Sequence, residues 1–293
     1  MPLVAASRHS LHFLHVDNGQ LVDETGGQFD VEEYSRFKYG KADTGRQYGY
    51  ALARMFVARH PEIALSEDKL VLSGPSYKYL STASHGIVHH FAVALNLFRV
   101  RHDLEPVQQL HMIRSTVGTD AYAMGDAAVR ATHLAKSSYH IDAGMVNDGH
   151  FIFIDDVNVT GATEARTLDR INVLMPKSMT CLHVAEIDPD YAVDNAAIEN
   201  VMNKTVEFSL ENVLRLAQQR NFRLNTRTFR SIMEWSDQEK LADFLLAVDD
   251  VLLLEMGAAI VGGTKEMFSR FPSATMLLLD VLSRRELLPQ VIA

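Results

Sequence analysis

Two short apolar stretches open the chain, Leu11-His12-Phe13-Leu14-His15-Val16 and Gln20-Leu21-Val22, and Asp17-Asn18-Gly19 separates them. Asn-Gly accepts positive φ, so the pair reads as a β-hairpin. An aromatic and basic segment follows at residues 30–39, and residues 44–60 carry apolar side chains at helical spacing until Pro61 stops them. From residue 69 the rhythm changes. Short apolar runs at 70–72, 109–113, 151–154 and 182–184 are separated by longer stretches, of which 82–98 has a helical period. That alternation predicts an α/β fold, a parallel sheet flanked by helices on both faces. Ligands of such sheets sit at the carboxyl ends of the strands, so the loops beginning at Ser73, Arg114, Asp155 and Glu186 are expected to border one cleft.

Beyond residue 194 the strand signal disappears. Segments 195–205, 209–220, 236–257 and 273–287 have helical periodicity, with Ser236 and Glu239 forming a capping box at the start of the third. Three parts follow: an N-terminal hairpin with helices at 1–68, an α/β core at 69–194 and a helical region at 195–293, with residues 223–230 as a linker. The glycines of residues 257–264 lack the Gly-Lys-Ser/Thr ending of a nucleotide P-loop and are assigned to helix packing and a turn.

Composition narrows the function. A chain of 293 residues, 47% of them hydrophobic, can bury a full core without staples. Its single cysteine, Cys181, cannot form an internal disulfide, and no leader with a cleavage site is legible, so a cytoplasmic location is expected. The apolar runs 244–248 and 251–254 are split by Asp249 and Asp250, which argues against a membrane span. A net charge of −9 without a Lys/Arg block argues against a nucleic-acid surface. Any anion site must therefore be local.

Such a site is legible at residues 151–163, Phe-Ile-Phe-Ile-Asp-Asp-Val-Asn-Val-Thr-Gly-Ala-Thr. An apolar strand delivers two carboxylates, an acceptor-only pair suited to a vicinal diol. The glycine then lets successive N–H groups converge, the threonines add hydroxyl donors, and a following helix presents its positive end to a phosphate. This pattern resembles the ribose-5-phosphate loop of the type I phosphoribosyltransferases: an apolar strand, two acids, three variable positions and Thr-Gly-x-Thr. The resemblance implies a Rossmann-like core with a hood formed by the N-terminal elements. It places Asp155 and Asp156 on the ribose hydroxyls, as catalytic residues, and Val157, Asn158, Val159, Thr160, Gly161, Ala162 and Thr163 around the 5-phosphate. Gly149 is similar to the glycine of the turn that leads into that strand. Two positions depart from the family: Asn158 is polar where an aliphatic residue is usual, and Val159 stands where one branch carries an aspartate that acts on the base.

The same resemblance implies a pyrophosphate site after the first core strand, at Ser73, Gly74, Ser76 and Lys78, helped by Arg114 and Lys136 from a long segment able to close over the reacting centre. Glu186, Asp188 and Tyr191, after the last core strand, are the candidates for the acceptor pocket, with residues 36–41 as part of the hood. Mg²⁺ is the expected cofactor, carried by the substrate diphosphate without direct protein ligands. His85 and His89 are spaced for a shared metal but lack a third ligand at a recognisable spacing, so a half-buried helix face is the expected use.

The implied activity is transfer of the 5-phosphoribosyl group of phosphoribosyl pyrophosphate (PRPP) to a nitrogenous acceptor, or the reverse, in nucleotide metabolism. The implied partners are small molecules, together with a second copy of the chain in a homodimer. Two alternatives accompany it. One is a non-catalytic PRPP or nucleotide sensor acting through the C-terminal helices. The other is a phosphatase, since residues 156–160 also resemble the haloacid-dehalogenase loop, with Asn158 in place of its general acid. The phosphoribosyl reading requires acids that face a cleft and a turn open to an anion.

Overall fold

A computed structural model of the chain describes residues 4–18, 20–24, 29–114 and 139–288. Strands β1 (Ala6–Asp17) and β2 (Gln20–Asp23) are followed by helices α1 (Val31–Lys38), α2 (Ala42–Arg59) and α3 (Pro61–Ala64). Next come β3 (Leu70–Ser73), α4 (Ser84–Val100), β4 (Gln108–Gln109), β5 (Ile113–Arg114), β6 (Tyr139–His140) and α5 (Ala143–Val146). The motif region comprises β7 (His150–Asn158), α6 (Ala162–Asn172), β8 (Ser178–Ile187), α7 (Pro189–Asp194) and α8 (Ile198–Asn203). Helices α9 (Leu210–Gln218), α10 (Thr226–Met233), α11 (Gln238–Ala247), α12 (Asp250–Arg270) and α13 (Pro272–Arg284) complete the order.

The main sheet runs β2-β1-β8-β7-β3-β4. Only β2 is antiparallel, paired with β1; the other pairings are parallel. Strands β7 and β8 are buried at nearly every position, which is why their sequences read as apolar runs covered on both faces. Side chains alternate between the faces. Ile152 and Ile154 pack with Leu72, Leu182 and Val184 beneath Phe56 of α2 and Ile87 and Phe91 of α4, whereas Phe151 and Phe153 pack with Met179 and Cys181 beneath Leu168 and Ile171 of α6. Each fully buried aromatic contributes about 1.5–3 kcal/mol relative to exposure. The C-terminal helices form a third cluster around Phe244, Leu253, Ile260, Leu278 and Leu282, against which Tyr79 and Leu80 of the segment after β3 pack.

Several expectations are corrected. The opening hairpin forms, with Asn18 at φ 48°, but β1 also joins the main sheet parallel to β8, from Ala6↔Met179 to Leu14↔Ile187. Its polar, half-buried pattern concealed an inner strand. The strand expected at 109–113 is two short ones, β4 in the main sheet and β5 paired with β6 in a separate ribbon. Residues 223–230 are not a linker: Asn225 caps α10, and the helix buries Phe229, Ile232 and Met233. Asp237, not Ser236, caps α11 by accepting from the Lys240 N–H, and the segment 236–257 breaks into α11 and α12 at Val248. Residues 257–264 lie inside α12 without a turn.

Candidate functional site

Parallel pairing brings the carboxyl ends of β7 and β8 together at Asn158 and Ile187, whereas β3 on the other side of β7 ends earlier, with Ser73 opposite Phe153. The strand that carries the motif is longer than its apolar run. Pairing with β8 continues through Asp155↔His183, Val157↔Ala185 and Asn158↔Glu186, so both acids lie within β7 and the loop begins at Val159 instead of Asp155. The chain then reverses tightly. Asn158 Oδ1 accepts a hydrogen bond from the Gly161 N–H at 2.9 Å, and Gly161 takes φ 68°, a left-handed conformation that favours glycine. The polar residue at position 158 thus shapes the turn. Helix α6 begins at Ala162 with no side-chain cap, Thr160 is exposed, and Val159 is buried and anchors the turn from below.

The first turn of α6 is fastened to the sheet by Glu164, which is buried, hydrogen-bonded and ion-paired to Arg8, and 3.5 Å from His183 Nε2. Burial pushes the His183 pKa down to about 4, so that ring stays neutral and Arg8 is the cation that balances Glu164. The outcome is a helix N-terminus held at the sheet edge beside an open, left-handed turn, a geometry that accepts an anion.

The two acids are placed less openly. Asp156 is 3% exposed; its Oδ2 accepts from Lys38 Nζ at 2.5 Å and from Ser84 Oγ at 3.1 Å, and its Oδ1 accepts from the Val157 N–H at 2.8 Å. Lys38 ends α1 and is itself buried, with its ammonium 5.5 Å from the centre of the Tyr34 ring. Asp155 is half-buried. Its Oδ1 accepts from Ser84 Oγ at 2.7 Å and from the Asp156 N–H at 2.8 Å, while no hydrogen bond reaches its Oδ2 among the described residues. Burial, then the neighbouring Asp156 charge, raises the Asp155 pKa; at Asp156 burial pushes the other way from the Lys38 ammonium and the hydrogen bonds from Lys38, the Val157 N–H and Ser84, which together lower its pKa. One proton and one lysine therefore let two adjacent carboxyls coexist. At the turn, Thr160 is exposed and Gly161 has only Asn158 Oδ1 within 4 Å of where a Cβ would be; of the acids, Asp156 is fully engaged and Asp155 keeps one oxygen uncommitted.

The remaining candidates are spread along the same edge. Ser73 donates to the Leu110 carbonyl at 2.8 Å, and Gly74 lies beneath Val88 and His85, whose atoms stand 3.1 and 3.3 Å from the position of an added Cβ. Ser76 is 9% exposed and Lys78 half-buried. This segment is packed, unlike the turn after β7. Arg114 lies in β5, away from the main sheet, and Lys136 lies outside the described residues. Glu186 accepts from Ser10 Oγ at 3.2 Å, Asp188 caps α7 by accepting from the Asp190 N–H at 2.9 Å, and Tyr191 packs against the core. His85 is buried and neutral, its pKa pushed down to about 3 by burial, and sits edge-on to Tyr77. Sequence reasoning missed Lys38 and Ser84 as partners of the acids, although Lys38 falls in the basic and aromatic segment it assigned to the hood.

A family model described as PRTase ComF-like, where PRTase denotes phosphoribosyltransferase, matches residues 6–264. The chain belongs to that family. No curated protein matches the sequence. Among solved structures, a variant hypoxanthine phosphoribosyltransferase from Trypanosoma cruzi complexed with IMP is 14% identical, over 50% of this chain and 76% of that one, with a TM-score of 0.35. A hypoxanthine-guanine phosphoribosyltransferase from Bacillus anthracis is 15% identical over 50% and 71%, with a TM-score of 0.31. The corresponding enzyme of L. donovani is 14% identical over 49% and 68%, with a TM-score of 0.33. With TM-scores this low, nothing about the site rests on these three. Among the described residues, no helix is long and apolar enough to cross a membrane.

Proposed function

We propose that the chain binds PRPP at the edge formed by β7 and α6 and transfers its phosphoribosyl group to a nitrogenous acceptor, or catalyses the reverse. The observation that carries this reading is the left-handed turn at Gly161, which opens an uncapped helix N-terminus directly after an acid pair. In this reading the 5-phosphate sits on the Thr160 and Ala162 amides and on the Thr160 hydroxyl, the Gly161 N–H being held by Asn158 Oδ1. Asp155 Oδ2 accepts a ribose hydroxyl. Asp156 does so only after releasing Lys38, whose ammonium is then free to meet the negative charge of the substrate. As pyrophosphate leaves, positive charge develops on the ribose, and the Asp156 carboxylate beneath it would stabilise that charge by proximity. Among the described residues no group of three His, Cys, Asp or Glu side chains is arranged to hold a metal. In the proposed reaction Mg²⁺ would be carried by the diphosphate and would neutralise the leaving group, and Asp155 is the residue able to touch the ion or its waters.

Calorimetry with PRPP and Mg²⁺ tests the site. Asp155→Asn retains an acceptor for Ser84 and is expected to weaken PRPP binding without unfolding the chain; unchanged affinity would overturn the assignment. A second reading, a sensor that binds PRPP without turnover, is favoured by the packed segment at Ser73 and Gly74 and by the lysine seated on Asp156. Binding without pyrophosphate release across a screen of bases and amines selects the sensor. The phosphatase reading fares worst, since Asp156, its required nucleophile, has both oxygens engaged.

A further inference from the structure

A cavity of about 250 Å³ lies between the corner joining α1 to α2, the start of α4, and residues 222–225. Phe37 and Phe222 supply apolar walls, and Gly45 and Gly86 are lining positions without side chains to fill it. The frame is fixed. Lys41 pairs with Phe222 in an isolated antiparallel bridge, the Arg223 N–H donates to the Gly40 carbonyl at 2.9 Å, and the Ala42 N–H donates to the Asn221 carbonyl at 3.1 Å. Gly40, at φ 98°, has no room for a side chain: an added Cβ would stand 2.5 Å from the Phe222 ring.

The polar lining has one sign. No carboxylate lines the cavity, and Lys41 is already paired with Glu33 at 2.7 Å. Burial lowers the pKa of His89 and of His90, and the nearby Arg223 charge adds to the effect. The Arg223 guanidinium makes no hydrogen bond or ion pair among the described residues. Its side chain lies across α4, with Cδ 3.9 Å from where a Cβ on Gly86 would be. Glu255 of α12 feels the Arg223 charge but forms no ion pair with it. Apolar walls beside a solvent-exposed guanidinium that has no protein hydrogen-bond or ion-pair partner among the described residues suit a flat apolar body carrying an anion.

We infer that this cavity binds a small aromatic or heteroaromatic carboxylate, with its ring between Phe37 and Phe222 and its carboxylate on Arg223. The site also abuts the acid pair. Phe37, Thr82 and Ala83 line the cavity, and their chain neighbours Lys38 and Ser84 hold Asp155 and Asp156. A ring nitrogen or amine on such a ligand would be the acceptor in the proposed transfer, and only this role rests on the phosphoribosyl reading.

The experiment is calorimetry of the full chain with benzoate and the pyridine carboxylates, their amides, ribose 5-phosphate and inorganic pyrophosphate. Carboxylates are expected to bind about tenfold or more tightly than the matching amides. Arg223→Gln should remove that preference while leaving ribose 5-phosphate affinity and thermal midpoint unchanged. Gly86→Leu, which fills the cavity from a helical position where Leu is the better helix former, should abolish carboxylate binding. Equal binding of amides, an unaffected Arg223→Gln variant, or no binding by any carboxylate would overturn the inference. So would displacement of the carboxylate by pyrophosphate alone, which would give Arg223 to a diphosphate. Carboxylate binding with no affinity for PRPP or ribose 5-phosphate would instead sink the phosphoribosyl reading and leave the cavity assignment standing.

Discussion

Replacing Lys38 by methionine removes the only ammonium in contact with Asp156 among the described residues and leaves a carboxylate that is 3% exposed. At the surface such a loss would be small, but this pair is shielded on both sides, with side chains 10% and 5% exposed. Removing one partner of a buried pair costs about 3–5 kcal/mol, because the other charge remains uncompensated. The lower end is expected here, since Ser84 Oγ and the Val157 N–H still hydrogen-bond Asp156. The pH dependence has a definite sign. Lys38 holds the folded-state pKa of Asp156 below its ordinary value, a contribution present above the unfolded carboxylate pKa and lost as pH falls through the folded one. The gap between wild type and Lys38→Met, followed by urea denaturation, should therefore be about 3 kcal/mol at neutral pH and shrink below about pH 4. Adding Asp156→Asn should restore most of the loss at neutral pH by removing the orphaned charge. A Lys38→Met variant as stable as wild type at neutral pH, or a loss that Asp156→Asn leaves untouched, would refute the reasoning.

Three further outcomes are expected. Gly161→Ala forces an L side chain to φ 68° and should cost about 1–2 kcal/mol in urea denaturation while weakening ribose 5-phosphate binding by calorimetry; intact affinity would detach the turn from phosphate. His85 has a folded-state pKa near 3, below its unfolded value, so stability is lost as pH falls from about 6.5 toward 3, at up to about 1.4 kcal/mol per unit; His85→Gln should flatten that slope, and an unchanged slope would refute the buried neutral ring. Arg99, 1% exposed, donates to the carbonyls of Glu105 at 2.6 Å, Ala64 at 2.9 Å and Ser66 at 3.1 Å, with no carboxylate hydrogen-bonded to it among the described residues. Arg99→Met should cost about 3 kcal/mol by stranding those acceptors, and a thermal midpoint equal to wild type would contradict it.

What could be read from the sequence was what neighbours along the chain decide. Phe151 to Ile154 announced a buried strand, and Thr160-Gly161 a turn, because period and backbone freedom are local properties. The rest depended on distant partners. The Lys38–Asp156 contact spans 118 residues, and no spacing rule joins them. The docking of β1 on β8 was hidden because Arg8, His9 and Ser10 look like solvent-facing residues until Glu164, His60 and Glu186 are brought against them. Residues 223–230 looked like a linker through three arginines, while the buried face of Phe229, Ile232 and Met233 straddles the end of that window. Ser236 lost the cap to Asp237 by a single position, a margin within which propensity does not discriminate.

The two halves of the motif differ in what a ligand would meet. The turn at Gly161 needs no rearrangement, since its conformation is set by Asn158 and its helix by Glu164 and Arg8. Asp156 would have to exchange a charged partner for a hydroxyl, and a neutral sugar offers nothing to compensate the freed, buried Lys38. A ligand that carries its own phosphates changes that balance, because it gives the displaced ammonium a new anion while its diol takes over the carboxylates. On the proposed reading the arrangement would discriminate by charge at the point where the ribose is held. Both the transferase and the sensor readings draw on that discrimination, and they part only at whether an acceptor can approach past Phe37 and Thr82.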